Sequence, residues 1–168
     1  RYVMNDQVGS WMPEFLDVSA ATEDRLVFPA DTDEAVRTNL YTPLDRFHEL
    51  NTFNIKFKRG VLLAGTYGVG KTELAFISAN KANQQGITFI YCKDSDQFTE
   101  VVKFAHQYEP AVVFCEDIDR VTSGTRGVGL DAILNVIDEI ESKTAQVIII
   151  ITTNAVENIH KVMNRPRT

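Results

Sequence analysis

The chain has 168 residues, 44% of them apolar and 24% charged, enough for one domain with a real core and no need of disulfide or metal staples. With a net charge of −6 nothing in the composition advertises a broad nucleic-acid-binding surface, although a local groove stays compatible with it. The longest apolar run, Val147 to Ile151, is far too short to span a bilayer.

Residues 1–44 read as an N-terminal extension or linker, largely irregular. Trp11, Met12, Phe15 and Leu16 cluster around Pro13, and Pro29 and Pro43 punctuate the rest of the segment. The segment 31–41 opens on an acidic cap and predicts a short helix, and 44–51 predicts another. The chain opens on Arg1 without a signal-peptide pattern and reads as a piece of a longer, cytoplasmic protein.

From 45 to 168 the pattern is that of one regular unit. GVLLAG (60–65) predicts a buried strand, followed by a glycine loop and a helix from about Lys71 to Gln84. ITFIYC (87–92) predicts a second strand and 96–108 a helix; AVVFCED (111–117) is a third strand. The segment 130–142 is amphipathic, with Ile133, Leu134, Ile137 and Ile140 along one face, and QVIIIITT (146–153) is a fourth strand before a short closing helix. Cys92 and Cys115 each lie inside an apolar run, as small core thiols in a reducing compartment do. Continuous β-branched strands alternating with helices predict an α/β fold, a parallel sheet covered on both faces. Ligands of such sheets bind at the carboxyl ends of the strands.

GTYGVGKT, from Gly65 to Thr72, fits the phosphate-loop pattern and sits between a strand and a helix, the context that pattern requires. Its glycines let backbone amides curl around phosphates in front of a helix N-terminus. Lys71 would reach the β- and γ-phosphates of ATP, and the Thr72 hydroxyl would bind Mg²⁺. The predicted nucleotide-binding stretch is Gly65, Thr66, Tyr67, Gly68, Val69, Gly70, Lys71, Thr72 and Glu73. A glycine-rich turn with a stray lysine is the alternative.

Two acids, Glu116 and Asp117, end the third strand in the order opposite to the common Asp-Glu. Position assigns Glu116 to the metal and Asp117 to activation of the attacking water, because side chains alternate along a strand. The alternative is a solvated strand end. Asn154, in the polar tip ITTN of the fourth strand, would hold the attacking water with Asp117, or simply cap the next helix.

Taken together, KRGVLLAGTYGVGKTELA, PAVVFCEDID, LDAILNVIDEIES and ITTNAVENIHKVMNRPR resemble, in order, the motifs of the AAA family of ATPases, within the AAA+ superfamily. The likeness covers roughly residues 40–168. It implies a P-loop NTPase three-layer α/β/α sandwich with strand order 5-1-4-3-2, the fifth strand and the helical lid being absent from this chain. It also implies a homo-oligomeric ring, usually a hexamer, with ATP and Mg²⁺ between subunits and an arginine reaching across the interface. Arg165 and Arg167 match that arginine-bearing segment, and Arg120 and Arg126 are further candidates to face a neighbour. The Glu-Asp order resembles the mitochondrial inner-membrane branch that helps assemble respiratory complex III. The segment 92–110 is shorter than the pore-loop region of protein-unfolding members and has no aromatic-Val-Gly tripeptide; Phe98 is either a substitute or, as is commoner, a core residue. A chain lacking the lid is expected to bind nucleotide weakly, hydrolyse it slowly and expose a sheet edge.

The resemblance implies a Mg²⁺-dependent ATPase module that drives remodelling of a protein assembly, with the protein substrate left open and nucleic acid disfavoured. A DNA-directed member of the same superfamily and a nucleotide-gated scaffold with little turnover are the alternatives.

Overall fold

The computed structural model describes residues 15–118 and 145–154, with the backbone of 2–3. Five parallel strands form one sheet: β1 (Tyr2–Val3), β2 (Arg59–Ala64), β3 (Thr88–Cys92), β4 (Ala111–Cys115) and β5 (Val147–Thr153), in the order β1-β3-β4-β5-β2. The four long strands thus lie side by side in the order that the family resemblance implies, with the strand before the phosphate loop next to the one that ends in ITTN. Every residue of β4 and of β5 is buried, which is why both read as unbroken apolar runs instead of alternating ones.

The alternation of strand side chains divides the core in two. Phe89, Tyr91, Val112, Phe114, Ile148 and Ile150 face α4 (Lys71–Gln84) through its Leu74, Ala75 and Ile77. Ile90, Cys92, Val113, Cys115, Ile149 and Ile151 face α5 (Phe98–Ala105), whose Phe98, Val101, Val102 and Ala105 close that side. Both cysteines are buried thiols, and the adjacent Cys92, then burial, holds Cys115 well above its ordinary pKa. Phe98, at 2% exposure, belongs to this core and is not available to grip a polypeptide.

The N-terminal part is more ordered than its sequence suggests. The helix expected over 31–41 begins at Ala30 and continues without a break to Asp45, as α1 (Ala30–Val36), a π-helical stretch (Arg37–Tyr41) and α2 (Thr42–Asp45); α3 (Phe47–Thr52) comes next. Pro43 lies inside this run instead of ending it. A proline ring crowds the carbonyl four residues back and supplies no N–H, and a widened π turn relieves both effects. The carbonyls of Thr38 and Asn39 then accept from Arg59 Nη1, each at 3.3 Å. Val18, Ala21, Val36, Leu40, Tyr41 and Leu44 join the α4-side core.

Residues 21–26 run along α4 like a strap. Asn80 Nδ2 donates to Ala21 O at 3.0 Å, Lys81 Nζ pairs with Glu23 at 2.6 Å and Asp45 at 2.8 Å, and Arg25 pairs with Glu73 at 3.1 Å. Lys81 also sits 4.8 Å above the Tyr41 ring. Burial opposes its charge, but the bonds to Asp45 and Glu23 outweigh burial and raise its pKa. Glu23 is correspondingly lowered, chiefly by its bond to Lys81.

Among the described residues no helix is long and apolar enough to cross a membrane. The segment 130–142, the closing helix, Trp11 and Met12 lie outside the described residues.

Candidate active site

The loop from Gly65 to Gly70 leads straight into α4. Gly68 has φ 79° and Gly70 φ 91°, left-handed values that glycine adopts without a Cβ penalty. At Gly70 space is also short, since a Cβ there would lie 2.6 Å from Leu26 Cδ2. The first amides of α4 have no partner within the helix, and no side chain caps them. They leave a positive helix end facing the loop.

Lys71, the first residue of α4, donates from Nζ to Gly65 O (2.7 Å), Thr66 O (2.8 Å) and Asn154 Oδ1 (2.8 Å). Beside it the Thr72 hydroxyl donates to Glu116 Oε1 at 2.5 Å. Glu73 turns toward the strap and meets Arg25; Tyr67 is 80% exposed.

The acids do not continue the strand as the sequence suggests. β4 ends at Cys115, and Asp117 takes a left-handed conformation, φ 45°, so simple alternation stops between the two acids. Aspartate tolerates this region better than most residues. The turn is held by β5: Asp117 N donates to Thr152 Oγ1 (3.0 Å), and Ile118 N to Thr152 O (3.1 Å). Asn154 Nδ2 then donates to Asp117 Oδ1 at 2.6 Å. One amide side chain therefore joins the Lys71 ammonium to the Asp117 carboxylate.

A cleft of about 310 Å³ gathers Lys71, Thr72, Glu73, Glu116, Asp117 and Asn154. A second, of about 640 Å³, opens on the other side of the loop against Gly65, Thr66 and Val69, and is walled by Phe28, Val36 and Leu62. Of the residues expected at the site, all those from Gly65 to Glu73, with Glu116, Asp117 and Asn154, fall around these two spaces. Arg120, Arg126, Arg165 and Arg167 lie outside the described residues. Sequence reasoning passed over Thr152 and Leu26. Thr152 carried a signal, a polar side chain near the end of β5 and two residues before Asn154, whereas Leu26 is brought in by tertiary packing alone.

A parallel α/β sheet with a glycine loop and lysine-led helix at its carboxyl edge defines a P-loop nucleoside-triphosphatase fold. Residues 61–168 match the ATPase family associated with various cellular activities (AAA), and the chain belongs to that family. Similar proteins include a putative cell division cycle ATPase of Plasmodium falciparum (27% identical; 81% of this chain, 12% of the relative). The cell division cycle protein 48 homolog of Archaeoglobus fulgidus is 30% identical over 67% of this chain and 18% of its own length. Proteasome-activating nucleotidase 1 of Haloferax volcanii is 33% identical over 54% of this chain and 24% of its own length. The chain spans less than a quarter of the length of each of these relatives.

Proposed function

We propose that this chain is the ATP-binding and ATP-hydrolysing module of a larger ring-forming protein, usually a hexamer, that remodels protein assemblies. The observation that carries this reading is the single cleft in which the Lys71 ammonium, the Thr72–Glu116 pair and the Asp117–Asn154 pair meet. The phosphates would lie in the loop amides and against Lys71. The apolar second cleft suits the flat base.

The donor set fits Mg²⁺. It consists of a hydroxyl and a carboxylate, hard oxygen donors already 2.5 Å apart. Magnesium takes few protein ligands and shares the substrate's phosphates. Thr72 and Glu116 would hold it, and bound there it would neutralise charge developing on the phosphates. Asp117 orients the attacking water and takes its proton. Asn154 keeps that carboxylate at a fixed distance from Lys71, and so from the γ-phosphate. Arg165 or Arg167 would act on the ATP of a neighbouring subunit. A proteasome-activating nucleotidase among the relatives supports protein-directed work, and buried thiols suit a reducing compartment such as the cytoplasm.

Asp117→Asn tests the reading. Asparagine keeps the shape and tolerates the left-handed turn, so nucleotide affinity should hold while turnover falls by about a hundredfold to ten-thousandfold. No phosphate release from the parent protein, and so none to lose in the variant, would favour a nucleotide-gated scaffold; an active parent and an equally active variant would remove Asp117 from the role of base.

A further inference from the structure

The parallel ladder between β4 and β5 ends at the pair Cys115–Ile151, and the next bonds do not follow its pattern. Successive amides of a strand point to opposite neighbours. Glu116 N points to β3, where it donates to Cys92 O at 3.4 Å, so the next amide, that of Asp117, points to β5. There it meets the Thr152 hydroxyl at 3.0 Å and not a main-chain carbonyl. The Thr152 carbonyl is taken instead by the following amide, Ile118 N, at 3.1 Å. Two consecutive amides thus bond to one residue of β5. Extended backbone cannot do this, and the φ of 45° at Asp117 allows it. A left-handed residue other than glycine is costly and lasts only where its surroundings hold it. Thr152, at 1% exposure, is a fixed and buried holder.

We propose that Thr152 is a positioning residue for hydrolysis: its hydroxyl stands in for one main-chain rung of the β4–β5 ladder, keeps Asp117 in the left-handed turn, and so aims the Asp117 carboxylate into the cleft. This rests on the reading of Asp117 as the residue that activates water. Kept extended, Glu116 and Asp117 would point to opposite faces of the sheet. With the turn, both border the cleft that holds Lys71 and Thr72, and Asn154 Nδ2 reaches Asp117 Oδ1 at 2.6 Å. A valine would fill the same space in β5; the hydroxyl is what the sheet alone does not require.

The test is phosphate release from ATP in single-turnover assays on the full chain, set beside ADP binding by calorimetry. Thr152→Val should slow release by about tenfold to a hundredfold while ADP affinity stays within about twofold, the range for one buried amide left unpaired away from the phosphate loop. Thr152→Ser restores the acceptor and should recover most of the rate. In an Asp117→Asn background Thr152→Val should add less than about twofold, since the carboxylate that the turn aims is gone. Release as fast in Thr152→Val as in the parent overturns the inference and leaves the reading of Asp117 standing. So does an equal loss in Thr152→Ser, an equal loss in both backgrounds, or a parallel loss of ADP affinity. If Thr152→Val does not melt cooperatively, Thr152→Ala carries the same prediction; if neither folds, the hydroxyl serves the fold alone and the inference fails. No release from the parent, or an unchanged rate in Asp117→Asn, removes the reading of Asp117 and the role of Thr152 with it.

Discussion

The phosphate loop and the exit of β4 face each other across one cleft, yet they are built in opposite ways. The loop is a main-chain device: glycines at φ 79° and 91°, a bare helix end, and Leu26 pressed onto Gly70. The exit is a side-chain device, in which Thr72, Glu116, Asp117, Thr152 and Asn154 hold one another at 2.5 to 3.0 Å. A main-chain site recognises any ligand of the right charge and shape, whereas a side-chain network can treat one step of a reaction differently from the next. Binding should therefore depend mainly on the loop and turnover mainly on the exit.

Mutations can break that division. The largest binding effect is expected from Lys71→Ala, the one side chain of the loop that spans both devices. ATP affinity should fall by about a hundredfold, as expected when several charge-assisted hydrogen bonds are lost, measurable by calorimetry. Asn154→Ala should lower turnover by about tenfold and leave affinity nearly intact, since it frees Asp117 while Lys71 keeps its bonds to Gly65 O and Thr66 O; phosphate release against ADP binding separates the two. Gly70→Ala should cost about 1–2 kcal/mol of stability from its positive φ, even if the end of Leu26 swings away, and lower the melting temperature by several degrees.

The smallest effect concerns the strap. Glu23 has its folded pKa held below the ordinary 4.5, so the stability it contributes is complete above that value and is lost as pH falls through the folded one. Melting temperatures of the parent and Glu23→Gln should differ at neutral pH and converge in acid.

The same contrast explains what the sequence made legible. The loop could be read residue by residue because its glycines act through their own backbone. The long strands were also readable, since fully buried strands leave unbroken apolar runs such as Val147 to Ile151, whereas their order came from the family resemblance and not from the runs. The acids were recognisable as acids, but their geometry was not: the left-handed turn at Asp117 depends on Thr152, 35 residues away in sequence. The uninterrupted helix through Pro43 likewise depends on Arg59, which serves carbonyls 20 and 21 residues earlier.

The strap over α4 has a mechanical consequence. Its fixings at Gly70, Glu73, Asn80 and Lys81 are spread along about 16 Å of one helix at 1.5 Å per residue. A rod gripped at both ends cannot tilt or slide without dragging its grip. A displacement of α4 that began at the phosphate loop would thus be passed to residues 21–26 through the Ala21 carbonyl and the side chains of Glu23, Arg25 and Leu26.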